Sequence, residues 1–395
     1  MTNPASQAMT GTTAAGLDRG VVIVGGGIIG ASVAFHLAER GFTDVTVVER
    51  HRIGEGSTAR ATGGIRQQFT SRVNAAMVHR SVEFWTDFEQ RTGAAFDFRR
   101  HGYLFLLTTD EQLATFRCAV AMQNELGIDS RIITAAEVTE LVPGTITDDL
   151  RGASYCASDG SGSPTDAVNG LISAARRSGV DVRQRCEVTG LLTTGDRVTG
   201  VRTSTGDLKA GLVLIAAGPQ AREAGQRMGI DLPVAPHRRQ AFAVDQMDWL
   251  RPGMPLTVDL GSGAYLHPEL SGAAVIGGND RDVPEGTDTT VDQERVEPLV
   301  KALIDRWPRM ADARVSRGWA GLREMTPDDH AVIGPVGPDG LWAAAGFSGH
   351  GFMQAPAVGE CLAAWWLDGT SPYDLAPLRP SRFAEGQPVI EEGVF

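Results

Sequence analysis

The sequence predicts an α/β protein in which a domain built on a parallel sheet carries an inserted second domain, of α+β type, built on an antiparallel sheet. Three observations predict this class. Short apolar runs such as VVIV at 21–24 and LVLI at 212–215 are typical of buried parallel strands. A glycine-rich turn and a helical stretch follow the first run. From about residue 238, short strand patterns alternate with Gly/Pro turns, which indicates antiparallel pairing.

The first predicted unit, residues 21–50, reads VVIVGGGIIGASVAFHLAERGFTDVTVVER. Gly25, Gly27 and Gly30 have G-x-G-x-x-G spacing between a strand and a helix, and the second strand ends on Glu49, nineteen positions after Gly30. In this pattern the first glycine permits a tight turn, the second lets backbone approach a pyrophosphate, and the third lets helix and strand pack closely. Glu49 is placed to accept hydrogen bonds from a ribose. An ordinary βαβ unit with a glycine-rich turn is the alternative, but the whole pattern favours a Rossmann-like dinucleotide-binding domain.

The composition excludes several classes of protein. A net charge of −12 and the lack of a Lys/Arg run argue against a nucleic-acid surface. No apolar run approaches the ~18 residues that a membrane span needs. Residues 1–19 read as a disordered tail and not as a signal peptide. The cysteines lie far apart without a C-x-x-C pair, which favours reduced thiols in a cytoplasmic protein over disulfides or a metal site; they are Cys118, Cys156, Cys186 and Cys361.

The order of the strand and helix patterns predicts two interleaved domains. After the tail, the nucleotide domain is expected in three pieces and the substrate domain in two. The nucleotide domain comprises 20–92, 151–227 and 319–395, and the substrate domain comprises 93–150 and 228–318. A simple nicotinamide dehydrogenase tends instead to have one continuous nucleotide domain.

Four phrases carry a resemblance to a known family. They are GSTARATGGIRQQF at 56–69, GYLFLL at 102–107, AGLREMTPD at 320–328 and AAGFSGHGFMQAPAVGE at 344–360. With these phrases the chain resembles the D-amino-acid-oxidase-like family of FAD-dependent oxidoreductases over nearly its whole length. The family contains sarcosine oxidase, glycine oxidase and dimethylglycine dehydrogenase, and the chain looks similar to the β subunits of heteromeric L-proline dehydrogenase and sarcosine oxidase.

The resemblance implies an FAD site assembled from distant parts of the chain. The glycine motif and the end of the second strand would hold the adenosine diphosphate half, and the loop after it would run along the pyrophosphate and the ring. The segment near residue 350 would offer N–H groups to the pyrimidine end of the flavin, where reduced flavin gains negative charge. The implied residues are Gly25, Gly27, Ile28, Ile29, Gly30, Glu49, Arg50, Ser57, Thr58, Thr62, Gly63, Gly64, Ile65, Val188, Ala217, Gly218, Leu322, Gly346, Phe347, Ser348, Gly349, His350, Gly351, Phe352 and Met353.

Three departures from the family pattern refine this expectation. Monomeric sarcosine oxidase attaches its flavin through a cysteine in the segment that matches 320–326, where this chain has Gly321 and Leu322. The FAD is therefore predicted to be non-covalent. Met353 stands where that relative has a lysine for the substrate carboxylate, and Val275 stands near the place of a lysine linked to oxygen use. Both differences favour a dehydrogenase, or a substrate held in another way.

Amine oxidation by a flavin needs a neutral amine, a C–H bond near flavin N5 and an anchor for the rest of the substrate. Arg66 matches the family's carboxylate-binding arginine, and a guanidinium can grip a carboxylate with two hydrogen bonds; a surface or phosphate-facing role is the alternative. His267 is a candidate proton acceptor or a histidine without a catalytic part, and Tyr265 is expected to share its strand face. Asn279 aligns roughly with a polar active-site residue of relatives.

The leading hypothesis is a cytoplasmic FAD-dependent enzyme that oxidises the C–N bond of an amino acid or a secondary amine, sarcosine-like or proline-like. Hydride transfer to flavin N5 would give an imine. Its partners would be a small amine, an electron acceptor that is O2 or a partner flavoprotein, and further subunits in a homo- or hetero-oligomer. Two alternatives stay open. One is a flavin monooxygenase acting on an aromatic substrate, although such proteins generally carry a late G-D-A motif where this chain has GFSGHGF. The other is a flavin-bearing subunit that is inactive without a partner chain.

Overall fold

The computed structural model of the chain describes residues 17–278 and 282–391. We number its strands and helices in chain order. The strands are β1 Val21–Val24, β2 Val45–Glu49, β3 Gly64–Ile65, β4 Tyr103–Leu107, β5 Ser130–Ile133, β6 Gly152–Cys156, β7 Gly160–Ser161, β8 Asp181–Gln184, β9 Val188–Thr194, β10 Arg197–Thr203, β11 Gly206–Lys209, β12 Leu212–Ile215, β13 Ala235–Val244, β14 Leu256–Asp259, β15 Ala264–Pro268, β16 Ala274–Gly278, β17 Val315–Met325, β18 Val332–Pro335 and β19 Leu341–Ala345. The helices are α1 Ile28–Glu39, α2 Arg72–Thr86, α3 Phe88–Thr92, α4 Asp110–Glu125, α5 Ala135–Leu141, α6 Pro164–Arg177, α7 Ala221–Arg227, α8 Val296–Arg306 and α9 Gly351–Asp368.

A six-stranded sheet forms the centre of the first domain, in the order β18-β19-β12-β1-β2-β8. Its strands are parallel except β18, which runs antiparallel to β19. All four residues of β1 and of β12 are buried, as their apolar runs predict. Alternate residues of β1 and β12 pack in two different cores, so both faces of each strand are covered, which is why their sequences are apolar from end to end.

The two faces of this sheet carry different layers. Residues of one alternation, such as Ile23 and Leu214, pack in one core with α1, α2, α6 and α9. Residues of the other alternation, such as Val22 and Val213, pack in a second core with the antiparallel meander β9-β10-β11 and α7. The helix layer is tight, because Ser32 on α1 donates a hydrogen bond of 2.7 Å to the carbonyl of Ala355 on α9. This sandwich leaves the carboxyl ends of the parallel strands at one edge, where ligands of such sheets bind.

An eight-stranded sheet in the order β17-β13-β16-β15-β14-β4-β6-β5 forms the second domain. All its pairs are antiparallel except β14 with β4. Leu104 and Leu266 lie on the face that packs under α8, whereas Tyr103 and Tyr265 lie on the opposite face. A parallel-sheet domain combined with an antiparallel-sheet domain is the predicted fold class.

Two predicted boundaries do not follow the sheets. β6 was assigned to the nucleotide domain, but it pairs between β4 and β5 in the eight-stranded sheet. β17 was divided at residue 318, but it pairs with β13 continuously to Met325. Strand pairing is a long-range contact, so a linear reading of the chain does not fix these limits. The division into domains stays a prediction. If the domains follow the sheets, the limit at 150 shifts to about 157 and the limit at 318 shifts to about 326.

Among residues 17–278 and 282–391, no helix combines the length and the apolar character that crossing a membrane requires.

Candidate active site

The three glycines of the first turn differ in what their missing side chains permit. Gly25 has φ +117°, and a Cβ there would lie 2.3 Å from the carbonyl oxygen of Ala216. A Cβ on Gly30 would lie 2.0 Å from the carbonyl oxygen of Gly25. Gly27 has an ordinary φ of −77° and meets only the hydroxyl of Thr58, 3.5 Å away. Gly25 and Gly30 are therefore required by the fold, whereas Gly27 keeps open the space in front of α1.

Glu49 ends β2 beside this turn. Its carboxylate accepts hydrogen bonds from the backbone N–H groups of Gly26 at 2.9 Å and His51 at 2.8 Å. Two backbone donors hold the carboxylate in one orientation, at the position where the motif expects a ribose partner. Arg50 follows directly and forms an exposed ion pair with Glu223.

The loop after β2 runs from the start of α1 towards the second domain. The hydroxyl of Thr58 accepts a hydrogen bond from Ile28 N–H at 3.1 Å, and the hydroxyl of Ser57 donates one to the carbonyl of Leu322 at 2.7 Å. Gly63 has φ +78°, and its backbone meets Gly162 so closely that a Cβ would lie 2.1 Å from the carbonyl oxygen there. The loop is thus fastened to both domains and forms one wall between them.

The turn before α9 forms the far end of the site. Ser348 has φ +51°, and α9 begins at Gly351 without a side-chain cap on its first N–H groups. Such free N–H groups attract negative charge. Glu324 accepts a hydrogen bond from Gly346 N–H at 2.9 Å, so its carboxylate supports the start of the turn.

One continuous cavity of about 710 Å³ joins the start of α1 to the start of α9. This volume lies within the ~300–1,000 Å³ usual for ligand sites. Most of the predicted cofactor residues line it: Gly25, Gly27, Ile28, Ile29, Glu49, Arg50, Ser57, Thr58, Thr62, Gly63, Gly64, Val188, Ala217, Gly218, Leu322, Gly349, His350, Gly351, Phe352 and Met353. The sequence thus predicted a groove whose two ends lie more than 300 positions apart in the chain, and the tertiary structure brings those ends together.

Five residues of the predicted cofactor set do not line the cavity. They are Gly30, Ile65, Gly346, Phe347 and Ser348. Ile65 and Phe347 are core residues of the helix layer, and Gly30 packs against the turn of β1. Their contribution is to the walls of the site and not to its surface.

Arg66 lies at the end of the cavity nearest α9, and its residue is 4% exposed. Its Nη1 donates to the carbonyl of Gln68 at 2.9 Å, its Nη2 lies 3.2 Å from Nε2 of His350, and its guanidinium stands over the ring of Phe69, 4.2 Å from the centroid. Within the described residues no carboxylate forms an ion pair with it. A buried guanidinium without a carboxylate partner is a site for an anion.

The other three predicted catalytic residues have different positions. Tyr265 lines the cavity. His267 lies on the same strand face, but it does not reach the cavity, and its ring stacks on that of His101 with 5.8 Å between centroids. Burial, followed by the charges of His101 and Arg99, lowers the pKa of His267 to about 3. The structure therefore does not bring His267 into position as a proton acceptor. Asn279 lies outside the described residues.

The sequence reasoning missed several residues at this end of the cavity. Tyr103 and Leu256 face it from β4 and β14, and Arg323 and Glu324 face it from β17. The phrase AGLREMTPD contains the last two, but only Gly321 and Leu322 of this phrase entered the sequence prediction. Alternation along β4 and β15 places tyrosines on one face, yet only the pairing of these strands through β14 makes them neighbours.

Burial and nearby charges shift the pKa values of His350, Tyr103 and Glu324, which line this end of the cavity. Burial, with the nearby guanidiniums of Arg66 and Arg323, holds the pKa of His350 well below its usual value, so the imidazole is neutral. Because arginine can only donate, Nε2 of His350 is the acceptor of their hydrogen bond. Burial also raises the pKa of Tyr103 and raises that of Glu324 to about 7, although the N–H groups of Gly346 and Phe347 oppose the latter shift.

These features fit the parts of an FAD molecule. An open glycine backbone and free helix N–H groups suit a diphosphate, an oriented carboxylate suits a ribose, and a second set of free N–H groups suits the electron-rich side of a flavin ring. The fold and the site together define a dinucleotide-dependent oxidoreductase. Comparison with known proteins gives the family: the profile described as FAD dependent oxidoreductase (DAO) matches residues 20–365, and the chain belongs to this family. The predicted family, fold class and FAD-dependent enzyme class are confirmed.

Individual relatives agree with this assignment. The chain is 30% identical to the sarcosine oxidase subunit beta of Rhizobium meliloti (strain 1021), over 94% of this chain and 90% of the relative. It is 29% identical to the mitochondrial dimethylglycine dehydrogenase of Rattus norvegicus over 92% of this chain, but it spans only 45% of that longer protein. Among solved structures, L-proline dehydrogenase from P. horikoshii superimposes with a TM-score of 0.88 at 33% identity, covering 94% and 99% of the two chains.

Proposed function

We propose that the protein oxidises the C–N bond of an amino acid or a secondary amine that carries a carboxylate, of sarcosine-like or proline-like type. The observation that carries this proposal is Arg66, a buried guanidinium at the end of the cavity nearest α9 that has no carboxylate partner among the described residues. The names of the similar proteins, which include a sarcosine oxidase subunit and an L-proline dehydrogenase, support it.

Each part of the site has a proposed task in this reaction. Bound FAD would supply the hydride acceptor, and the substrate would leave as an imine. Arg66 would hold the substrate carboxylate and so orient the carbon that loses the hydride. Tyr103, Tyr265 and Leu256 would exclude water around the remainder of the substrate. His350, which is neutral, would fix the guanidinium without competing for the anion.

The cofactor is proposed to be non-covalent FAD. Among the described residues that line the cavity the cysteine is Cys186, which lies beside Val188 and not at the α9 end. In the segment of β17 that faces the cavity, Gly321 and Leu322 have no nucleophilic side chain. Acid precipitation tests this proposal: all of the flavin should stay in the supernatant, and flavin in the pellet would contradict it.

A flavin-bearing subunit that depends on a partner chain is the second candidate. It is favoured by a 29% identity to the mitochondrial pyruvate dehydrogenase phosphatase regulatory subunit of Mus musculus, over 92% of this chain and 43% of that protein. The electron acceptor, O2 or a partner flavoprotein, and the homo- or hetero-oligomeric state belong to the same question. A cytoplasmic location is proposed from the cysteines, which are all free thiols.

Anaerobic flavin bleaching tests these proposals. The FAD-loaded protein is mixed with sarcosine, L-proline, D- and L-amino acids, and with N-methylglycinamide as a sarcosine analogue without the carboxylate. Bleaching by a carboxylate-bearing amine but not by the amide supports the proposal. Bleaching by no amine would promote the subunit hypothesis, and oxidation of NADPH with an aromatic substrate would instead indicate a monooxygenase.

Arg66→Met provides the matched variant. Loss of a charge-assisted hydrogen bond, worth about 1.5–3 kcal/mol, should weaken binding of the carboxylate about ten- to hundredfold. FAD affinity should stay unchanged, because Arg66 lies at the substrate end. Equal affinity for acetate in the parent and in Arg66→Met would refute the role of Arg66.

A further inference from the structure

The position of Arg66 depends on the three residues that follow it. Its guanidinium donates one hydrogen bond to the carbonyl of Gln68 and lies over the ring of Phe69. After the two-residue strand β3, no regular helix or strand fixes residues 66–69 before α2 begins. Some other contact has to hold this segment if the guanidinium is to be held within a fraction of an ångström.

Asp159 makes that contact. Its Oδ1 accepts hydrogen bonds from the backbone N–H of Gln67 at 2.9 Å and from Nε2 of Gln67 at 3.0 Å. Its Oδ2 accepts one from Nε2 of Gln68 at 3.0 Å. One carboxylate therefore joins both residues that follow Arg66, from the turn between β6 and β7.

The surroundings of Asp159 are unusual for a carboxylate that serves only packing. The residue is 0% exposed, and within the described residues it forms no ion pair with a cation. Burying a carboxylate without a cation costs free energy, which a neutral residue would avoid. Here all three partners are N–H donors, and only a carboxylate offers acceptors on both sides without a donor of its own.

Asp159, Gln67, Gln68 and Ser154 form one buried hydrogen-bond network, which we call the clamp. The hydroxyl of Ser154 donates to Oε1 of Gln68 at 2.7 Å, and Nε2 of Gln68 also donates to the carbonyl of Tyr103 at 2.9 Å. The Gln68 amide is thereby fixed in one orientation. If it rotated by half a turn, its oxygen would face the carbonyl oxygen of Tyr103.

From this geometry we infer that Asp159 is the positioning residue of Arg66: it sets the affinity of the site for a carboxylate-bearing substrate without touching substrate or cofactor. The inference rests on the proposed function, in which Arg66 binds the substrate carboxylate. It adds to that function a dependence on a residue 93 positions away in sequence. Neither the glycine motif nor the catalytic candidates pointed to this residue.

The substitution Asp159→Asn separates geometry from charge. Asparagine has nearly the same size as aspartate. Its amide nitrogen, however, is a donor and would face N–H groups whose hydrogen bonds the carboxylate accepts. Removing a negative charge near the site would by itself strengthen anion binding. A loss of anion affinity in this variant therefore reports displacement of Arg66 and not a change of charge.

The experiment uses the FAD-loaded protein and acetate as an unreactive carboxylate, followed through the visible absorption of the flavin. Asp159→Asn should bind acetate about tenfold more weakly. Ser154→Ala removes one hydrogen bond of the clamp and should weaken acetate binding by a smaller factor. This variant decides the test if Asp159→Asn does not fold. For the amine that bleaches the flavin, KM should rise by a larger factor than kcat falls, and FAD affinity should stay within about twofold.

Ser81→Ala is the matched control, because Ser81 is a buried serine of α2 whose hydroxyl bonds Met77 and Ala357 and has no contact with the clamp. Its acetate affinity should equal that of the parent. Acetate affinity within twofold of the parent in both clamp variants overturns the inference, and so does an equal loss in Ser81→Ala. If Arg66→Met weakens acetate binding but the clamp variants do not, only this inference fails. If Arg66→Met has no effect, the proposed function fails as well.

Discussion

Arg66 and His350 lie 284 positions apart in the chain, yet Nη2 of the arginine and Nε2 of the histidine are 3.2 Å apart in the folded protein. The contact joins the loop after the first βαβ unit to the turn before α9. It therefore closes the end of the cavity nearest α9 from both sides. Because the imidazole is neutral, the guanidinium keeps its charge for an incoming anion.

Removing this acceptor should loosen the anion site. We expect His350→Leu to weaken acetate binding about tenfold, since a hydrogen bond to a charged group contributes about 1.5–3 kcal/mol. Titration of the FAD-loaded protein with acetate measures the effect. An unchanged dissociation constant, with FAD still bound, would show that His350 does not hold Arg66 in place.

Two glycines of the first turn should separate binding from folding. A Cβ on Gly27 meets only a hydroxyl at 3.5 Å, so Gly27→Ala should fold normally but lose FAD affinity, because the methyl group projects into the cavity. Gly30→Ala should destabilise the fold by about 1–3 kcal/mol or more, because the methyl group meets a backbone oxygen at 2.0 Å. Thermal unfolding of the FAD-free proteins and FAD titration measure both. If Gly27→Ala unfolds earlier but binds FAD with the parent's affinity, the assignment of this turn to the diphosphate is wrong.

His267 should prove dispensable for catalysis. Both of its ring nitrogens are buried and have no hydrogen-bond partner within the described part of the chain, which costs stability. His267→Leu should therefore be neutral or stabilising in thermal unfolding, and the pH profile of kcat/KM should keep its shape. Loss of a pH-dependent limb in this variant would restore His267 as a proton acceptor.

Glu324 should make the stability of the FAD-free protein depend on pH. Burial raises its pKa from the ordinary 4.5 to about 7, so the folded state holds the proton more tightly than the unfolded chain does. This stabilising contribution is complete below about 4.5 and is lost as the pH rises through about 7. The difference in unfolding free energy between the parent and Glu324→Gln should therefore shrink or reverse from pH 5 to pH 8. A constant difference across this range would mean that Glu324 titrates normally.

Glu391 near the C-terminus should behave in the opposite way. Its carboxylate accepts hydrogen bonds from the Thr70 hydroxyl at 2.7 Å and from Asn74 at 3.0 Å, where α2 begins. Burial alone would raise its pKa, but the hydrogen bonds from His330, Ser71 and Thr70 hold the pKa well below its usual value. Glu391→Gln should cost about 2 kcal/mol at neutral pH, and the difference should fall as the pH drops through 4.5 and below. Urea unfolding at pH 7 and pH 4 tests it, and equal losses at both would contradict the expectation.

Local patterns predicted much of the fold correctly. The apolar runs of β1 and β12 and the glycines of the first turn were predictable, because burial on two faces and a close backbone approach restrict the residue types locally. The phrase GYLFLL at 102–107 contains the whole of β4, Tyr103–Leu107. By contrast, β17 crosses the predicted domain limit at residue 318 and continues to Met325, because its partner β13 pairs with it along this whole length.

The candidate site divides in the same way. The sequence by itself predicted the class of cofactor site. The glycines and the acid after β2 did so through local backbone requirements, and residues 349–353 did so through the resemblance to the family. Only the tertiary structure decided which side chains meet at the end of the cavity nearest α9. Tyr103, Arg323 and Glu324 line the cavity there, whereas His267 does not. Asp159 binds the segment that follows Arg66. The physical reason is that these neighbours depend on strand pairing and burial across hundreds of residues, which local periodicity does not encode.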